Sequence, residues 1–144
     1  MLKINEQKFS EMDELSLQKV PFFFVIDFLM ENVLIFSQED LEGQKILVDF
    51  PNFKNVQKST FKPKEVTWKS FPQSKEDYQK GFEIVQNHLK LGDSYLINYT
   101  CETPIETNLS LEEIFYRSEA KYKVLLPDNF TFFSPETFVE IKNQ

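Results

Sequence analysis

The stretch FTFFSPETFVEIKNQ, residues 130–144, places a carboxylic acid between two apolar runs that both read as strands. Pro135 removes one ladder N–H and biases Ser134 towards extended geometry, so a strand breaks there and displays Glu136 at the break. In dry, aromatic surroundings a carboxyl group resists ionising, because burial disfavours its charged form. An acid held neutral near pH 7 can pass a proton to a departing hydroxyl. Facing water, the same glutamate is an ordinary turn residue, and this stretch by itself allows both.

A second stretch, HLKLGDSYLINYT (88–100), sets polar groups along an apolar path. Gly92 ends a helix, Asp93 redirects the chain, and residues 93–105 read as a strand. Period-two alternation puts Tyr95, Ile97 and Tyr99 on one face and Leu96, Asn98 and Thr100 on the other. In such company the Asn98 amide needs partners, from neighbouring backbone or from a ligand. His88 shares a helix side with Val85 and reads as a half-buried packing residue rather than a ligand.

Other chemistries lack their parts. One His and one Cys, Cys101, exclude a disulfide framework, a Cys- or His-rich metal site and a histidine-based triad. A net charge of −7 with Arg117 as the single arginine argues against a nucleic-acid partner, whose phosphates need clustered Lys and Arg. The run VPFFFVIDFLM (20–30) is too short to span a bilayer and is interrupted by Asp27. It also lacks the basic start and small-residue cleavage site of a signal peptide. A cytoplasmic protein without membrane contact is expected.

The elements around these groups can be read in outline. With 144 residues, 16 of them Phe and only 3 Gly, the chain can bury a sizeable core by aromatic packing. A short helix is expected around Glu11–Gln18. PFFFVIDF (21–28), NVLIFS (32–37) and KILVDF (45–50) follow as closely spaced strands in hairpin or meander pairing, apolar enough to expect cover on both faces. The Pro- and Lys-containing segment 51–73, with a short strand at Val66–Lys69, suggests a boundary. It divides an N-terminal β-rich region, 1–73, from a second region, 74–144. Ser74 with Asp77, an apolar stripe through Tyr78, Phe82, Val85 and Leu89, and Gly92 as terminator predict a helix over 74–93. Ser110 with Glu113 starts a shorter helix within 109–120. Three strands, 121–126, 129–134 and 137–142, close the chain. The fold class is α+β, with largely antiparallel sheets packed with helices.

Taken together, the two chemical stretches resemble the chorismate-binding enzyme family. Its pattern runs G-D-x-Y-Q-x-N-L-[ST] at a helix–strand junction and S-S-P-E-x-[FL] at a later strand break. Gly92, Asp93, Tyr95, Asn98 and Thr100 match the first; Ser134, Pro135, Glu136 and Phe138 match the second. The resemblance covers about residues 74–144 and implies the first half of an anthranilate or aminodeoxychorismate synthase-like fold. It implies that Glu136 is the acid that expels a ring hydroxyl of chorismate. Tyr95, Asn98, Thr100 and Ser134 would then contribute to substrate binding in the same cleft.

Departures from the pattern sharpen the branch. Leu96 stands where aminodeoxychorismate and anthranilate synthases usually carry Gln, and where the water-adding isochorismate and salicylate synthases carry Lys. Leucine cannot accept a proton, so water addition is disfavoured. SEAKYKV (118–124) replaces an N-P-x-P-[YF] segment, and an L-L-E-S inhibitor segment is absent, which lowers anthranilate synthase. The family's later P-I-[KA]-G-T segment, with its nucleophilic Lys, and its Mg²⁺-holding carboxylates are not in this sequence.

The resemblance therefore implies a truncated, N-terminal part of an aminodeoxychorismate synthase component I-like enzyme, inactive as the isolated chain. The complete enzyme would aminate chorismate at C4 with ammonia from a glutamine amidotransferase subunit and would use Mg²⁺, while this chain alone would bind no metal. Self-association through exposed sheet edges is expected. An anthranilate synthase component I-like fragment and a small non-enzymatic, aromatic-rich binding domain are the alternatives.

Overall fold

A computed structural model of the chain describes residues 6–134. Glu136, and the strand expected over 137–142, lie outside the described residues. The chain divides into two compact units, Met1–Phe61 with Ser110–Gln144, and Lys62–Leu109. The division near residue 73 read from the sequence falls inside the second of these.

In the first unit, α1 (Glu6–Leu17) packs against β2 and buries no residue fully. β1 (Phe23–Ile26) and β2 (Val33–Phe36) form the expected antiparallel hairpin, with Phe23 opposite Phe36 and Ile26 opposite Val33. Asp27 organises its turn by accepting from the Glu31 N–H at 2.8 Å and from Asn32 Nδ2 at 2.6 Å. Two-sided cover does not hold for this ribbon. Phe24 is 47% exposed and Leu34 41%, because two strands alone have only one side packed.

The expected meander also stops after β2. A six-residue helix, α2 (Gln38–Gly43), follows it, started by a reciprocal capping box between Ser37 and Asp40. That helix carries the chain into another sheet, where β3 (Leu47–Phe50) pairs with β4 (Phe53–Lys54) and with β7 (Tyr122–Leu126). β8 (Phe130–Ser134) completes the order β4-β3-β7-β8, all antiparallel. The β7–β8 turn is made by Asp128 at φ 61° and an Asn129 N–H bond to the Leu126 carbonyl.

β7 is covered on both sides. Val124 and Leu126 join Phe36, Leu41, Ile46 and Val48 in the main core, with Phe23 and Phe50 against it. On the opposite side packs α4 (Leu111–Arg117), whose start is a second capping box, Ser110 with Glu113. Its Phe115 is fully buried, a burial that stabilises by about 2–3 kcal/mol. Lys123 sets its ammonium 4.9 Å over the Phe115 ring and donates to the Ser118 carbonyl at 3.3 Å, satisfying the helix end.

The second unit is closed at its base. β5 (Trp68–Ser70) pairs antiparallel with β6 (Ile105–Thr107). Beside them Asn108 accepts from the Thr67 N–H and donates to the Glu65 carbonyl, while its own carbonyl accepts from Lys64. Within the unit runs α3 (Lys75–Leu91), capped by the Ser74 hydroxyl and ended by Gly92 at φ 82°, a left-handed conformation that glycine adopts without steric cost. Helices with antiparallel sheets make this an α+β chain. Among the described residues, no helix is long and apolar enough to cross a membrane.

Candidate functional site

Gly92 turns the chain back at the end of α3, and the Asp93 N–H closes on the His88 carbonyl at 3.1 Å. The two side chains also meet, His88 Nδ1 lying 2.6 Å from Asp93 Oδ2, both about half-exposed. His88 is thus a partner of the Gly92–Asp93 junction rather than the packing residue its helix position suggested.

Beyond the junction the sequence reading needs correction. Residues 93–105 were expected to form a strand, yet 94–104 form no ladder, and only Ile105–Thr107 pairs, as β6. Alternating apolar residues supply a strand's side chains but not its hydrogen-bond partner, and no described strand lies alongside. Tyr95 is accordingly 97% exposed, and Asn98 and Thr100 are exposed too.

One residue of the segment is held. Tyr99 is half-buried against α3, its ring 5.3 Å from that of Tyr78, which stacks in turn on Phe82. A Cβ built on Gly81 would overlap the Tyr99 phenol oxygen and lie 2.6 Å from Cζ. Two residues on, Gln73 Nε2 donates to Cys101 Sγ at 3.1 Å. Hydrogen bonding with Cys101, then desolvation, hold the Tyr99 phenol above the usual tyrosine range. Gly81 and Tyr99 were not singled out from sequence as a pair. An interior helix glycine was the available signal.

The site residues read from sequence fall into separate groups. Tyr95, Asn98 and Thr100 share one segment of the second unit. Ser134 belongs to the first, at the end of β8 opposite Tyr122 and half-buried. Glu136 lies outside the described residues. A cavity of about 1030 Å³ lies in the first unit and is lined by none of them. Its wall mixes Lys45 and Lys54 with Glu42, Glu112 and Asp128, so it favours neither anions nor cations. A divalent metal needs several converging oxygen ligands. Among the described residues no group of three or more His, Cys, Asp or Glu could hold a metal ion.

Comparison with known proteins supplies the context. A family model described as chorismate binding enzyme matches residues 7–144. An uncharacterized PabA-like protein of Haemophilus influenzae is 44% identical over 124 residues, covering 86% of this chain and 38% of that protein. An uncharacterized PabA-like protein of Pasteurella multocida is 40% identical over 125 residues, covering 86% and 39%. The chain thus spans about two-fifths of the length of these curated relatives. No solved structure matches significantly.

Proposed function

Because the chain belongs to the chorismate-binding enzyme family, we propose that it forms part of an aminodeoxychorismate synthase component I-like enzyme, which replaces the C4 hydroxyl of chorismate with an amino group. The observation that carries this reading is the family match over residues 7–144, which includes both the Gly92–Thr100 junction and the Ser134–Phe138 stretch. The PabA-like names of both relatives support a link to a glutamine amidotransferase. Leu96, 89% exposed, offers no proton acceptor for activating water, which favours amination over hydration.

In this reading Glu136 is the general acid. Its carboxylic acid protonates the leaving C4 oxygen. Tyr95, Asn98, Thr100 and Ser134 contact the substrate. Ammonia comes from a glutamine amidotransferase partner. Mg²⁺ assists the reaction in the complete enzyme.

The test is direct. The intact gene product, given chorismate, ammonium and Mg²⁺, forms 4-amino-4-deoxychorismate, and Glu136→Gln lowers kcat by about 10²–10⁴-fold. A chorismate-consuming enzyme indifferent to that substitution would remove Glu136 from the role. Residues 1–144 self-associate, because β8 borders its sheet among the described residues and leaves Phe130, Phe132 and Phe133 more than one-third exposed. A monomer on size-exclusion chromatography across a concentration series would refute this.

A further inference from the structure

Among the described residues, 94–104 belong to no strand, and at their far end the Phe71 N–H donates to the Pro104 carbonyl at 2.9 Å. Tyr99 is half-buried against α3, whereas its neighbours Asn98 and Thr100 are exposed. The phenol fills the space that a side chain at Gly81 would occupy. Glycine within a helix is destabilising relative to alanine, and of the glycines here only Gly92 has positive φ. The backbone at 81 therefore has no need of glycine. What glycine supplies at that position is room.

We propose that Gly81 and Tyr99 form a notch and a pin that seat residues 94–100 on α3 and thereby present Asn98 and Thr100 to the substrate. Both are positioning residues, acting through their neighbours. The substrate's identity rests on the chorismate reading; the seating does not. Two residues beyond the pin, Gln73 Nε2 donates to Cys101 Sγ at 3.1 Å and ties the segment to the residues that precede α3.

Hydrogen exchange followed by mass spectrometry separates this from a plain helix effect. Gly81→Ala raises helix propensity, so α3 amides exchange at an unchanged or slower rate. Expulsion of the phenol makes the amides of 94–104 exchange several-fold faster in the same molecule. Tyr99→Ala gives that acceleration too, and the double variant adds nothing further, because either change alone empties the notch. Unchanged exchange of 94–104 in Gly81→Ala overturns the proposal, and α3 protection in the same spectrum reports that the variant is folded.

The second arm uses the intact gene product, where both variants lower kcat/KM for chorismate by roughly ten- to a hundredfold, as misplacement of a binding group does. Faster exchange with unaltered chorismate kinetics overturns the positioning role. A wild-type protein that ignores chorismate while showing the exchange response keeps the pin and overturns the chorismate reading instead.

Discussion

The first unit contains every hydrophobic residue that is fully buried among the described residues, from Val33 to Leu126. The second has none, although it holds the longest described helix and the best-marked one. Both ends of α3 are capped, yet Ile84 is 61% exposed and Leu91 76%. In the first unit the caps are similar but the helices lean on strands: Leu41 of α2 and Phe115 of α4 are both buried. Caps decide where a helix begins and ends, whereas burial of one face supplies most of its stability. The second unit shows the former with little of the latter.

This contrast can be broken at several points. The largest effect belongs to Phe115→Ala, which costs about 3–5 kcal/mol in urea unfolding, since a fully buried ring leaves a cavity. Ile84→Ala on α3 stays within about 0.5 kcal/mol, as exposed substitutions do. Equal losses would abolish the distinction between the units. Next come the caps. Ser110→Ala, beside the buried Glu113, costs about 1–2 kcal/mol, and Ser74→Ala at the exposed start of α3 about 0.5–1 kcal/mol by the same measurement. The reverse ranking would place the better-supported helix in the second unit.

The smallest effect is in pH. Burial tends to raise the Asp49 carboxyl, but Lys54 at 3.0 Å and Lys123 at 3.4 Å outweigh it and hold it below the ordinary value of 3.8. A group lowered on folding stabilises the fold above its unfolded pKa and loses that contribution as pH falls through the folded value. Asp49→Asn therefore flattens the acid limb of a stability–pH profile below about pH 4. Asp77, lowered by hydrogen bonds from Lys80 and Ser74 on exposed α3, changes that limb less when replaced by Asn.

Local chemistry was the legible part of the fold. Ser74, Gly92 and Ser110 announce α3 and α4 because a cap is decided by residues three or four apart. A capping box at Ser37–Asp40 also starts α2, a helix not read from the sequence, where the short gap between two apolar runs looked like a hairpin connection. Pairing was less legible. Nothing local in KILVDF says that Val48 will face Val124 rather than Leu34, and nothing in DSYLINYT says that a partner strand is missing. For the site, the resemblance of residues 92–100 and 134–138 to a known family's pattern pointed to the family that the match over residues 7–144 shows. The Gly81–Tyr99 fit escaped because it depends on a helix and a later segment meeting in space.

The pairing of Leu47 with Leu125 also has a temporal side. During synthesis β3 leaves the ribosome long before β7 exists, with the whole of 62–109 translated in between. At ~5–20 residues per second, Ile46 and Val48 wait on the order of several seconds for their partners. The intervening stretch can meanwhile close on itself through β5, β6 and Asn108. The capped α2, the β1–β2 ribbon and β4 then shelter that half-built core, and the nascent chain is most vulnerable to chaperone capture and aggregation in this interval.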